Sequence, residues 1–177
     1  MAKDICGQGR YVLGGPNEDS IGLPVSISKL PEKINVEGYS LSVRTSFHIT
    51  LVAIGKIMKK YKVVVPDFID KVVDDFCEFT QKKNIDLSRF HDELKFASEK
   101  EKRSIVMMCD ISSLNHFFDL INEKYGLQVE YPPTHATLYT LQQDKGIFLT
   151  DSKDIETMTK PIENPGIKLE WKKFGRD

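Results

Sequence analysis

The sequence predicts an α+β fold built on mostly antiparallel sheet. Two segments carry apolar residues at helical spacing, and several shorter ones have strand character. The two kinds interleave through hairpin-like turns rather than in a regular strand–helix repeat. The 177 residues suggest one domain over 1–177, made of one body or of two intimately packed lobes. A chain of that length buries roughly two-thirds of its unfolded surface, enough to hold a core without disulfide staples.

The first element is "GRYVLGG", a short strand that stops at the turn Gly14, Gly15, Pro16. The preceding "GQG" is not a dinucleotide loop: Val12 stands where its third glycine belongs, and no strand precedes it. Residues 66–83 predict a helix. Pro66 suits a first turn, and Ile69, Val72, Val73 and Phe76 recur on one face. Residues 91–98 and 103–110 predict a hairpin, apolar on both sides of a polar center. A second helix covers 113–125, with Leu114, Phe117, Phe118, Ile121 and Tyr125 as its stripe, a serine to begin it and Gly126 to end it. A short helix is expected near 152–160. Ile167, Leu169 and Trp171 then alternate with Lys168 and Glu170, as in a half-buried strand.

The 25 basic and 26 acidic residues give a net charge of −1, which removes the global basic field expected of a duplex-DNA binder. The densest basic run, with Lys56, Lys59, Lys60 and Lys62, reads as a solvated face. The three cysteines, Cys6, Cys77 and Cys109, are odd in number and lack CxxC spacing. They predict neither a disulfide framework nor a zinc site, and fit a reducing compartment. "MAKDICGQGR" has no signal-peptide core, and no apolar run has membrane-spanning length. The expectation is a cytoplasmic protein, without a membrane partner, and monomeric because no exposed heptad or flat apolar strand stands out.

One short phrase is written twice. "SFHITLVAIG" covers 46–55 and "PTHATLYTLQ" covers 133–142; each runs histidine, apolar residue, threonine, leucine. In a strand, residues i and i+2 share a face. His48 and Thr50 therefore point one way and Ile49 and Leu51 the other. His135, Thr137 and Tyr139 likewise share a face, opposite Ala136 and Leu138. Each strand offers an imidazole and a hydroxyl together. His91 and His116 lack a threonine partner and read as structural or exposed.

Such a set suits phosphodiester chemistry. One imidazole deprotonates the attacking water, the other protonates the departing oxygen, and two hydroxyls grip the nonbridging oxygens. No metal or other cofactor is required. Paired HxT motifs in strands resemble the 2H phosphoesterase superfamily, which includes 2′-5′ RNA ligase-like proteins and cyclic nucleotide phosphodiesterases. The resemblance is carried by "FHITL" and "THATL", and the intervening helix–hairpin–helix layout is similar. It implies a bilobal, pseudo-twofold α+β structure with helices packed outside two sheets and the motifs meeting in a central cleft.

The resemblance further implies His48 as general acid, His135 as general base, and Thr50 and Thr137 on the phosphate. The expected partner is a nucleotide or short RNA with a 2′,3′-cyclic phosphate, opened to a 2′-phosphate, or with a 2′-5′ linkage that is cleaved or joined. Tyr139 and Tyr11 are candidates to stack on a base, and Arg44 and Arg10 to meet phosphate. Two other readings stand beside this one. A metal site on His48 and His135 is disfavored because no carboxylate lies within three residues of either. A non-catalytic nucleotide- or RNA-binding module would keep the motifs for grip alone, and the near-neutral charge runs against it.

Overall fold

The computed structural model describes residues 2–173. Its described elements, in chain order, are β1 (Lys3–Ile5), β2 (Tyr11–Gly14), β3 (Ser20–Ser28), β4 (Lys33–Val36), β5 (Tyr39–Val43), β6 (Phe47–Ala53), α1 (Ile54–Tyr61) and α2 (Phe68–Lys82). They continue with β7 (Asp86–Glu99), β8 (Lys102–Ser112), α3 (Leu114–Tyr125), β9 (His135–Thr140), α4 (Ser152–Met158), β10 (Thr159–Ile162) and β11 (Glu170–Lys173). The architecture is mixed α+β, and every strand pair is antiparallel.

The two expected sheets are joined in one hydrogen-bonded network, in the order β1-β2-β3-β6-β9-β8-β7-β10. β11 is added on β3, and β5, carrying β4, on β9. The two HxT strands, β6 and β9, are neighbors at its middle, registered through Ile49 and Ala136. Pro24 lies inside β3, where a residue without an N–H is normally excluded. It falls between the end of the β2 pairing at Gly22 and the start of the β11 pairing at Val25, so that edge loses no donor.

The apolar faces meet in one main core. In α2 the fully buried row is Phe68, Val72 and Phe76, with the predicted Ile69 and Val73 half-buried beside it. In α3 it is Leu114, Phe117, Phe118 and Ile121. Phe76 is the hub, edge-on to Tyr11 at 4.9 Å and to Phe117 at 5.2 Å between ring centroids. A second cluster joins Ala97 and Val106 of the long hairpin to Ile147 and Leu149 beyond β9. The basic run around Lys56 is α1, whose Ile54 and Ile57 are buried.

Two sequence expectations are corrected here. Cys6 and Cys77 are bonded, with Cα atoms 4.9 Å apart, and only Cys109 is free. Cys6 follows β1 in a left-handed turn and Cys77 lies on α2, a proximity that no local spacing announces. Such a bridge persists in oxidizing surroundings, against the reducing-compartment expectation. The final strand pairs over Glu170–Lys173 rather than from Ile167, although Ile167 is buried and Trp171 packs edge-on to Phe90. No described helix is long and apolar enough to cross a membrane.

Candidate functional site

The register of β6 and β9 builds the site. Ile49 and Ala136 are both fully buried, so the opposite side chains of these strands face away from the core. Residues directly across an antiparallel pair share a face. One step either way from Ile49–Ala136 sets His48 across from Thr137 and Thr50 across from His135. The two histidines are diagonal neighbors, a relation that spans about 7–8 Å in an antiparallel pair.

Each motif strand also skips one residue after its threonine. Against β3, Thr50 pairs with Gly22 and Val52 with Ile21, leaving Leu51 extra. Against β8, Thr137 pairs with Val106 and Tyr139 with Ile105, leaving Leu138 extra. Each bulge reverses the alternation beyond it. Val52 thus joins Leu51 in the core, and Tyr139 joins Leu138.

His48, Thr50, His135 and Thr137 line one cleft of about 370 Å³, with Arg44 beside them. The strand pairing that carries β5 along β9 places Arg44, whose N–H donates to the Leu138 carbonyl at 3.0 Å. The opposite wall is the segment after β9. Asp144 accepts from the Thr45 hydroxyl at 2.9 Å and lies 3.7 Å from Arg44 Nε. Gly146 follows, where a Cβ would stand 3.1 Å from an Arg44 guanidinium nitrogen and 3.5 Å from the Thr137 hydroxyl. Buried Nε of Arg44 has no hydrogen-bond partner among the described residues. A terminal guanidinium nitrogen donates to the Asp144 carbonyl at 3.4 Å, and the charge that Asp144 leaves unbalanced at the cleft wall favors an anion there.

The two imidazoles differ. His48 is exposed and makes no hydrogen bond to a described residue. On β3, Gly22 lies across from Thr50 and Pro24 across from His48, and the absent side chain of Gly22 leaves room beside the His48 ring. His135 is buried, and its Nδ1 lies 2.8 Å from the Pro133 carbonyl. A carbonyl only accepts, so the neutral ring that satisfies this contact carries its hydrogen on Nδ1 and its lone pair on Nε2. Both histidines have pKa values below the ordinary range. For His48, open to solvent but set within the concave cleft with protein around it, the causes are partial desolvation, then the Arg44 guanidinium, then His135. For His135 desolvation outweighs the opposing influence of the Pro133 and Ile147 backbone, which favors the protonated ring. Around Asp144 burial acts to raise the pKa, and hydrogen bonds from Thr45 and Gln143 with the charge of Arg44 lower it on balance.

The other predicted contacts lie elsewhere. Tyr139 is fully buried, with its hydroxyl donating to the Pro31 carbonyl at 2.9 Å and its pKa pushed up to about 12 by burial. Tyr11 is fully buried, and donates to the Ile85 carbonyl at 2.7 Å. Neither presents a face to a base, and the bulge at Leu138 is the reason for Tyr139. Arg10 is paired to Asp86 at 2.7 Å, away from the cleft. Lys102, which no expectation singled out, also lines the cleft, as do Lys145 and Phe148 of the stretch 143–166, which directly follows the second motif and from its place in the sequence could cover the cleft. Lys102 begins a strand that the hairpin pattern started one residue later; Lys145 and Phe148 belong to no motif.

Among the described residues no three His, Cys, Asp or Glu side chains converge as a metal-ligand group. No family model matches the chain, and no solved structure matches it. Among curated proteins, a histidine--tRNA ligase of Staphylococcus haemolyticus (strain JCSC1435) is 36% identical over 64 residues. That similarity covers 33% of this chain and 15% of that protein, a segment shared rather than a whole architecture.

Proposed function

We propose that this chain is a metal-independent phosphodiesterase that opens 2′,3′-cyclic phosphates on nucleotides or RNA ends to 2′-phosphates. The observation that carries the reading is the convergence of His48, Thr50, His135 and Thr137 on one cleft beside Arg44. In this account His135 Nε2 takes a proton from water as the water oxygen bonds to phosphorus. The bond from phosphorus to O3′ breaks, and His48 gives its proton to O3′. The products are a 2′-phosphate and a free 3′-hydroxyl. Thr50 and Thr137 hydrogen-bond the nonbridging oxygens, and Arg44 offsets their charge. Joining a 2′-5′ linkage uses the same groups in the same roles, with a 5′-hydroxyl in place of water. Cleaving that linkage back to a cyclic phosphate exchanges the roles: His48 then takes the proton of O3′ and His135 protonates the departing O5′.

A pseudo-twofold, bilobal arrangement about Ile49 and Ala136 belongs to this reading. It is supported by the diagonal placement of the motifs and by the matching skips at Leu51 and Leu138. Each proton transfer contributes typically 10²–10⁴-fold. His48→Ala and His135→Ala should therefore each lower kcat by roughly 10²-fold or more, with an unchanged far-ultraviolet circular dichroism spectrum. Full activity in both variants contradicts the assignment.

A further inference from the structure

The reaction cleft continues into a second groove. Lys102 and Lys145 border the cleft and also border a groove of about 520 Å³ that extends to Lys56 and Lys100. Three separate elements supply these cations. Lys56 comes from α1, Lys100 and Lys102 from the β7–β8 turn and the first residue of β8, and Lys145 from the segment after β9. The end of β7 contributes Glu99 and the turn Glu101, so the groove holds four cations and two anions. None of the four lysine ammonium groups makes an ion pair with a described residue, whereas Lys60, Lys95 and Lys160 do. The chain's net charge of −1 thus averages over a surface on which one face is locally positive.

Resting on the phosphodiesterase reading, we infer that the preferred substrate is a single-stranded oligonucleotide rather than a mononucleotide. Its terminal phosphate occupies the His48–His135 cleft, and its upstream phosphates run along Lys102, Lys145, Lys100 and Lys56. A cyclic phosphate closes the 3′ end of a strand, so the remaining nucleotides all extend in one direction, and this groove is a continuation of matching charge. The lysines are flexible, solvated donors without a planar fork. They suit a tracked backbone better than a single, geometrically fixed anion. The two glutamates limit the field and so favor short engagement over indiscriminate polyanion binding.

The test is binding of a 5′-fluorescein pentanucleotide RNA ending in a 2′-phosphate, by fluorescence anisotropy, with a 2′-phosphorylated mononucleotide as competitor. The pentanucleotide should bind at least about tenfold more tightly than the mononucleotide in low salt, with affinity falling steeply as salt rises. The K56Q/K100Q double variant should narrow that ratio toward one and reduce the log–log salt slope by about 0.7 for each phosphate that is no longer neutralized. Equal affinity for the two ligands, or an unaltered slope in the double variant, overturns the groove. Turnover is scored separately. A protein that binds the pentanucleotide through these lysines yet opens no cyclic phosphate contradicts the reaction and leaves the groove standing. Turnover with no length preference does the reverse.

Discussion

Ile49 of β6 and Ala136 of β9 are paired across the middle of the sheet, and both are fully buried. That one pair sets where the flanking histidines and threonines stand. Both side chains point into the core beneath the strand junction, the small one at 136 and the larger one at 49. The site therefore depends on a packing contact that contains no catalytic group.

Ala136→Val tests that dependence. The added methyls must be accommodated where Ala136 is fully buried, at a cost of about 1–3 kcal/mol in a well-packed core. The reacting groups shift with the strands, and a displacement near 1 Å is worth on the order of 10²-fold in rate. The expected result is a folded protein with lowered Tm and a kcat reduced far more than substrate binding. Unchanged kcat would show that the junction does not position the motifs.

The lowered pKa values of His48 and His135 predict where the pH profile lies. The base must be neutral and the acid protonated in the free enzyme, so both limbs of kcat/KM fall below the ordinary histidine value of about 6.5. kcat/KM should peak on the acid side of that value and decline from pH 7 to 8. Bound phosphate, being anionic, favors the imidazolium of His48, so the optimum for kcat should lie higher. A kcat/KM optimum above pH 7.5 would contradict the site's electrostatics.

Tyr139→Phe separates core from binding. The substitution removes the hydrogen bond to the Pro31 carbonyl, which is worth about 1 kcal/mol. Tm should fall by a few degrees while KM for a cyclic nucleotide stays within about twofold, since the ring never reaches the cleft. A changed KM with an unchanged Tm would return Tyr139 to the substrate.

Thiol counting tests the covalent topology. The native protein should leave Cys109 unreactive, because burial pushes its pKa up to about 12. Denaturation without reductant should release one thiol and denaturation with reductant three, the full cysteine count. The bridge spans a sequence separation of 71 residues, so loop-closure entropy gives it about 4 kcal/mol in the chain-entropy model. Three thiols without reductant would remove the bridge and restore the reducing-compartment expectation.

Much of this architecture is legible in the sequence because it is locally encoded. The stripes of α2 and α3 and the polar turn of the β7–β8 hairpin announce themselves, and so do the two HxT phrases. What escaped reading depends on distant partners. Pro24 hides β3, since its missing donor is tolerated only because β2 and β11 leave a gap there. α1 is masked by its lysines, with Ile54 and Ile57 too few to mark a stripe. Alternation placed Tyr139 beside His135, and the extra residue at Leu138, fixed by pairing with β8, turned it inward. Cys6 and Cys77 meet only when the first turn lies against α2. Lys102 enters the site from the very start of β8 and Lys145 from a loop, where periodicity gives no signal.

The most direct measurement is hydrolysis of a panel of 2′,3′-cyclic nucleotides with EDTA present, by the wild-type protein and His135→Ala, with products identified by phosphorus NMR. The account predicts turnover by the wild type alone, unaffected by the chelator, and a 2′-phosphate as product. A 3′-phosphate product, loss of activity with EDTA, or equal turnover by His135→Ala would contradict it.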